Sequence, residues 1–246
     1  MFNPKFICML LAALFAIVFP IVLLIVWKKK TGAKLLPFFV GAAVFFLFAI
    51  ILERLFLSLV QQSPLIANFL SSNVVGAAIF GGLMAGLFEE TGRFLAFKTV
   101  LKKLPETKNA VTYGVGHGGL EVLLLLGQTY VLLLLALVTN GQGALSAYLP
   151  TAETLTLGFI GFAVLERIFA MALHISLSIF VFVAARDAKK LWLYPLAIWL
   201  HAVVDALAVF YQTGLLPLWA TELCIGVFAG FLLFAAIRLY RRRENG

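Results

Sequence analysis

The chain has 246 residues, of which 63% are hydrophobic and only 12% charged, with a mean hydropathy of +1.07. That composition excludes an ordinary soluble domain, and no polar block is long enough to fold as a separate soluble unit. The formal net charge of +8 is accounted for by basic residues flanking hydrophobic runs beside anionic lipid, so no nucleic-acid partner is expected.

Cutting the apolar runs at charged or turn-rich breaks predicts seven spans, near 6–27, 35–59, 75–101, 111–138, 157–185, 191–211 and 217–237. Each can cross a hydrocarbon core that takes ~20 residues of helix. The runs are continuous rather than alternating in short segments, which argues against a β-barrel. Helices then satisfy the backbone in lipid. The expected fold is all-α, a polytopic transmembrane helical bundle forming a single domain over 1–246. Span one carries its charge after the apolar run and lacks a small-residue cleavage site, so it is expected to stay as a helix. Cys8 and Cys224 both lie inside spans and imply no disulfide framework.

Orientation follows from the basic residues. Lys28, Lys29, Lys30 and Lys34 follow span one. Lys98, Lys102, Lys103 and Lys108 surround the end of span three. Arg186, Lys189 and Lys190 follow span five, and Arg238, Arg241, Arg242 and Arg243 close span seven. These are fifteen of the nineteen Lys and Arg, and all fall on one side. The opposite loops, 61–73, 139–156 and 212–216, carry none. The positive-inside rule therefore predicts a cytoplasmic C-terminus and, with seven spans, an N-terminus outside.

Ionisable residues within a span are costly and usually functional. Glu53, Arg54 and Glu222 lie near outer span ends, where water is expected to be close. The deeper set is Glu89, Glu90 and Arg93 in span three, His117 and Glu121 in span four, Glu166, Arg167 and His174 in span five, and His201 and Asp205 in span six. Counting from the cytoplasmic ends puts Glu90, Glu121, His174 and His201 each about ten or eleven residues deep, roughly 15–17 Å at the helical rise. His117 with Glu121, and His201 with Asp205, are spaced i,i+4 and share a helix face. Arg93 is within a turn of both glutamates, so span three carries its own counter-ion.

Two adjacent carboxylates with one nearby cation leave a charge to be neutralised, and one is expected to hold a proton. Such a group can take a proton from water and return it to a leaving group, which is hydrolase chemistry. The histidines could orient that water or donate to a developing oxyanion. Adjacent helix residues point about 100° apart, so Glu166 and Arg167 are expected to pair with neighbouring helices rather than with each other. The glycines Gly114, Gly116, Gly118 and Gly119 are read mainly as packing positions, with a kink or water path as the alternative.

No His-Glu-x-x-His run and no Gly-x-Ser-x-Gly turn is present, and Asp187 and Asp205 are the only aspartates. Classical zinc, serine and aspartyl-dyad mechanisms are thereby disfavoured. No cofactor is required by the carboxylate chemistry, yet zinc held by His117, His174, His201 and Glu90 stays open because imidazole and carboxylate suit that metal.

The run Glu89, Glu90, Thr91, Gly92 and Arg93, followed by Tyr113 four positions before His117 and then by His201 four before Asp205, resembles the glutamic-type intramembrane proteases. That group includes the type II CAAX prenyl proteases, bacteriocin-processing relatives, PrsW and the Aph subunit of gamma-secretase. Within it the chain looks like the YhfC family, through Gly116 to Glu121, Glu166 and Arg167 with His174, and His201 to Asp205. The resemblance covers a catalytic-like core, 75–211. It implies an intramembrane protease that cleaves a membrane-associated protein or peptide in a bacterial plasma membrane. Glu89 or Glu90 would activate the water, with the emphasis on Glu90. Arg93 would be the supporting cation, and His117, His174 and His201 the other site residues. The prenyl proteases carry asparagine where this chain has Asp205. An aspartate donates only when protonated, so Asp205 is read as orienting His201 or a metal. A proton-coupled transporter and a non-catalytic scaffold built on the same cluster remain the alternative classes.

Overall fold

A computed structural model describes residues 3–244. Among them the regular structure is helical, without strands, and seven helices are long and apolar enough to cross a membrane. They are α1 (Pro4–Thr31), α2 (Leu36–Val60), α3 (Val74–Lys98), α4 (Lys108–Val138), α5 (Leu157–Arg186), α6 (Leu193–Gln212) and α7 (Leu218–Glu244). Two short helices unforeseen from the sequence, Pro64–Ser72 and Leu149–Thr154, lie in the connections α2–α3 and α4–α5. α7 runs several residues further into the basic tail than hydropathy alone suggests, because Arg241 to Arg243 can leave the apolar zone without breaking the helix.

Local chemistry sets the ends. The Asn3 side chain accepts from Phe6 N at 2.9 Å and caps α1, and Asn73 caps α3 through Gly76 N at 2.8 Å. Gly32, at φ 66, ends α1 with its N–H on the Lys28 carbonyl. α2 and α4 each contain a π-helical stretch, Phe46–Glu53 and Leu123–Gln128, the first bringing Glu53 to the inside of the bundle and the second following Glu121.

α4 and α5 form the centre. Residues 109–119 and 176–185 are continuously buried, whereas α1 and α7 turn large apolar side chains such as Leu11, Val18, Val227 and Phe231 outward, as lipid requires. Glycine lets the central helices touch. A Cβ on Gly116 would collide with the Phe38 backbone of α2, and one on Gly82 or Gly86 with the Ala202 or Ile198 carbonyl of α6. The packing reading of the Gly114–Gly119 run is thus the observed one, as small residues serve helix contact in lipid.

Candidate active site

Five helices deliver polar groups to one enclosed level. On α3, Glu89 and Glu90 are 7% and 0% exposed, and Arg93 is wholly buried. Because neighbours on a helix diverge by about 100°, the two glutamates meet different partners. Glu90 receives Arg93 Nη1 on both oxygens at 2.6 Å, and His201 Nδ1 lies 2.8 Å from its Oε1. Glu89 instead meets His117 Nε2 of α4 at 2.8 Å and lies 3.8 Å from His201 Nε2.

The cluster continues through α5. Arg93 Nη2 lies 3.2 Å from His174 Nδ1. A guanidinium only donates, so this nitrogen must accept, and a neutral His174 carries its proton on Nε2. That Nε2 faces Glu121 Oε2 and donates to it. Glu121 Oε1 takes a 2.6 Å bond from Arg167, whose other nitrogen reaches Glu166 at 2.5 Å. The expectation that Glu166 and Arg167 avoid one another is therefore corrected: the long guanidinium arm bridges its own neighbour and Glu121 of α4 at once. Asp205 Oδ2 stands 3.5 Å from His201 Nε2, one turn along α6.

A cavity of about 350 Å³ opens onto this level, lined by Glu89, Glu121, His174, His201 and Asp205, with Glu53 and Arg54 on the α2 side. Glu90, Arg93 and His117 lie behind its wall. The emphasis on Glu90 as the water-activating group does not fit this geometry, since it does not line the cavity, whereas Glu89 and Glu121 do. Reading Glu222 as lying where water is close missed its placement. Glu53 lines the main cavity, and Glu222 is 5% exposed on a second one. Hydropathy could not show this, because it reports distance from a span end and not which neighbours close over it.

The donor chemistry suits a metal. Glu89, His117 and His174 offer ligand atoms that all lie within 4.8 Å of one another, in buried surroundings. Two imidazoles and one carboxylate are the His₂Glu type of donor set that would hold a catalytic zinc. His117 Nδ1 is buried without a hydrogen-bond partner, as are Arg93 Nε and the Tyr113 hydroxyl beside it. The set predicted from sequence included His201 and Glu90, and neither belongs to this group. Here the carboxylate position passes to Glu89, and Glu90 becomes the carboxylate behind His201.

A family model described as YhfC intramembrane metalloprotease matches residues 15–225. The uncharacterized membrane protein YhfC of Bacillus subtilis (strain 168) is 32% identical over 251 residues, covering 94% of this chain and 95% of that protein. No solved structure matches the chain.

Proposed function

Starting from the fact that this multi-pass membrane protein belongs to the YhfC intramembrane metalloprotease family, we propose that it hydrolyses a peptide bond of a membrane-associated protein or peptide inside the bilayer. The observation that carries the reading is the grouping of Glu89, His117 and His174 within 4.8 Å, with Glu89 and His174 lining the cavity. These three residues would hold a divalent metal such as zinc, with His174 free to ligate through Nε2 once its proton lies on Nδ1 and the Arg93 contact is given up. When bound, such an ion supplies Lewis-acid polarisation of a carbonyl and lowers the cost of making hydroxide from water.

The chain's own residues handle the protons. Glu121 lines the cavity, is held by Arg167 and faces His174 Nε2. It takes the proton of the attacking water and delivers it to the leaving amine. His201 is oriented by Glu90 through Nδ1 and presents Nε2 toward Glu89 and Asp205. Arg93 holds Glu90 in place, so Glu90 and Arg93 act as positioning residues. A glutamate-activated water without metal is the second reading. The 2.8 Å pair of Glu89 and His117 favours it, because a carboxylate and an imidazole on one water suffice for general base chemistry.

The basic loops are assigned to the cytoplasm and the membrane to the bacterial plasma membrane. Metal analysis of purified protein, paired with a peptide-cleavage assay, tests the mechanism. About one ion per chain, lost with activity in Glu89→Gln and His174→Asn but kept in an inactive Glu121→Gln, supports the metal reading. Full activity without metal moves the role to the Glu89–His117 pair. Absence of cleavage across a broad peptide library sinks both.

A further inference from the structure

Beyond the catalytic level, toward the end of the bundle away from the basic loops, a narrower cavity of about 140 Å³ lies between α5, α6 and α7. It shares Glu166, Ala208 and Ile225 with the main cavity, so the two lie side by side. Its walls include the rings of Phe159 and Tyr211, and its floor carries two carboxylates, Glu166 and Glu222. Glu222 is 5% exposed and its Oε2 has no hydrogen-bond partner. Arg167 is the cation nearest this wall by its bonds, but it already serves Glu166 and Glu121. Three carboxylates thus face one guanidinium. A buried carboxyl oxygen left without a partner is expensive in an apolar zone and calls for a donor from outside.

We infer that this cavity is a specificity pocket for a basic side chain, lysine or arginine, of the polypeptide being cleaved. The inference rests on the peptidase reading above. Carboxylates at the floor would accept from the cationic head, and the aromatic walls would cover its alkyl stem and ring-facing charge. The position of that residue in the substrate follows from the scaffold. Glu166 precedes His174 by eight residues on one helix, which at the helical rise is about 12 Å. An extended peptide advances about 3.3 Å per residue. The basic residue therefore sits about three or four positions from the scissile bond.

The test uses quenched-fluorescent peptides in detergent micelles, identical except for Lys or Gln at each position around the cleaved bond. Wild-type protein is expected to prefer Lys at the third or fourth position by at least about tenfold in kcat/KM, the low end for a close charge pair. Glu222→Gln should collapse that ratio, and Glu222→Lys should turn it toward a Glu-containing peptide. Glu153→Gln, on an exposed helix at the same end, should keep the wild-type ratio. Fluorescence anisotropy of the same peptides on the Glu89→Gln variant gives a readout independent of turnover, and melting curves check each fold. Charge-dependent binding without any cleavage by wild type would refute hydrolysis and leave the pocket standing. Cleavage or binding indifferent to the Lys/Gln exchange and to Glu222→Gln would refute the pocket and leave hydrolysis standing.

Discussion

Replacing Glu89 and Glu90 one at a time by glutamine separates a cavity residue from a structural one, although the two are adjacent. Glu90 gives both oxygens to Arg93 at 2.6 Å, and both residues are 0% exposed. Glu90→Gln removes the compensating charge and leaves the guanidinium one amide oxygen, with His174 Nδ1 at 3.2 Å and the Tyr113 ring at 6.0 Å as its other contacts, while its Nε has no partner at all. Breaking one side of a buried ion pair costs about 3–5 kcal/mol. At ~2–4 °C per kcal/mol for a chain of this size, the melting temperature should fall by roughly 6–20 °C. Glu89→Gln removes no guanidinium partner and keeps an amide oxygen for His117, so its cost should stay within about 1 kcal/mol. Scanning fluorimetry of the detergent-solubilised proteins, in chelator so that bound metal adds nothing by mass action, reads the difference. Equal melting temperatures for the two variants, or a Glu90→Gln protein as stable as wild type, would refute the assignment of Glu90 to the scaffold.

The helix contacts predict that Gly82→Ala and Gly116→Ala destabilise by about 2 kcal/mol or more through backbone collision, whereas Gly81→Ala, with open space around its Cβ position, is neutral in the same melting assay. The ligand set predicts that His201→Asn retains about one metal ion per chain while His174→Asn loses it, as read by elemental analysis. A cysteine placed at Lys103 should be labelled by an impermeant maleimide only from the cytoplasmic side, and one at Ser63 only from outside; the reverse pattern would invert the topology.

Much of this arrangement is legible in the sequence because lipid enforces a simple code. Seven apolar runs become seven helices, and counting residues from the basic ends brings Glu90, Glu121, His174 and His201 to one level, where they do share a hydrogen-bonded cluster. The rotation of each helix about its axis is not legible, since it depends on the glycine contacts between α3 and α6 and between α2 and α4. That rotation decides which of Glu89 and Glu90 faces the cavity. It also turns Glu222 inward near a span end, where distance from the boundary alone would place it in water.

Charge balance links the cluster to its proposed ion. Glu89, Glu90, Glu121 and Asp205 meet Arg93 and Arg167 at the catalytic level, so two negative charges exceed the guanidiniums before Glu166 is counted. Low-dielectric surroundings make that surplus costly. A divalent cation beside Glu89 would cancel it, and so would protons taken up by the imidazoles. The two differ in what a neutralising substitution does. If the ion balances the cluster, Asp205→Asn removes one of the surplus charges and should raise the melting temperature of the chelated protein relative to chelated wild type, while lowering its affinity for the metal. If protons balance it, the same substitution should displace a proton instead, changing the pH dependence of melting with no change in metal affinity.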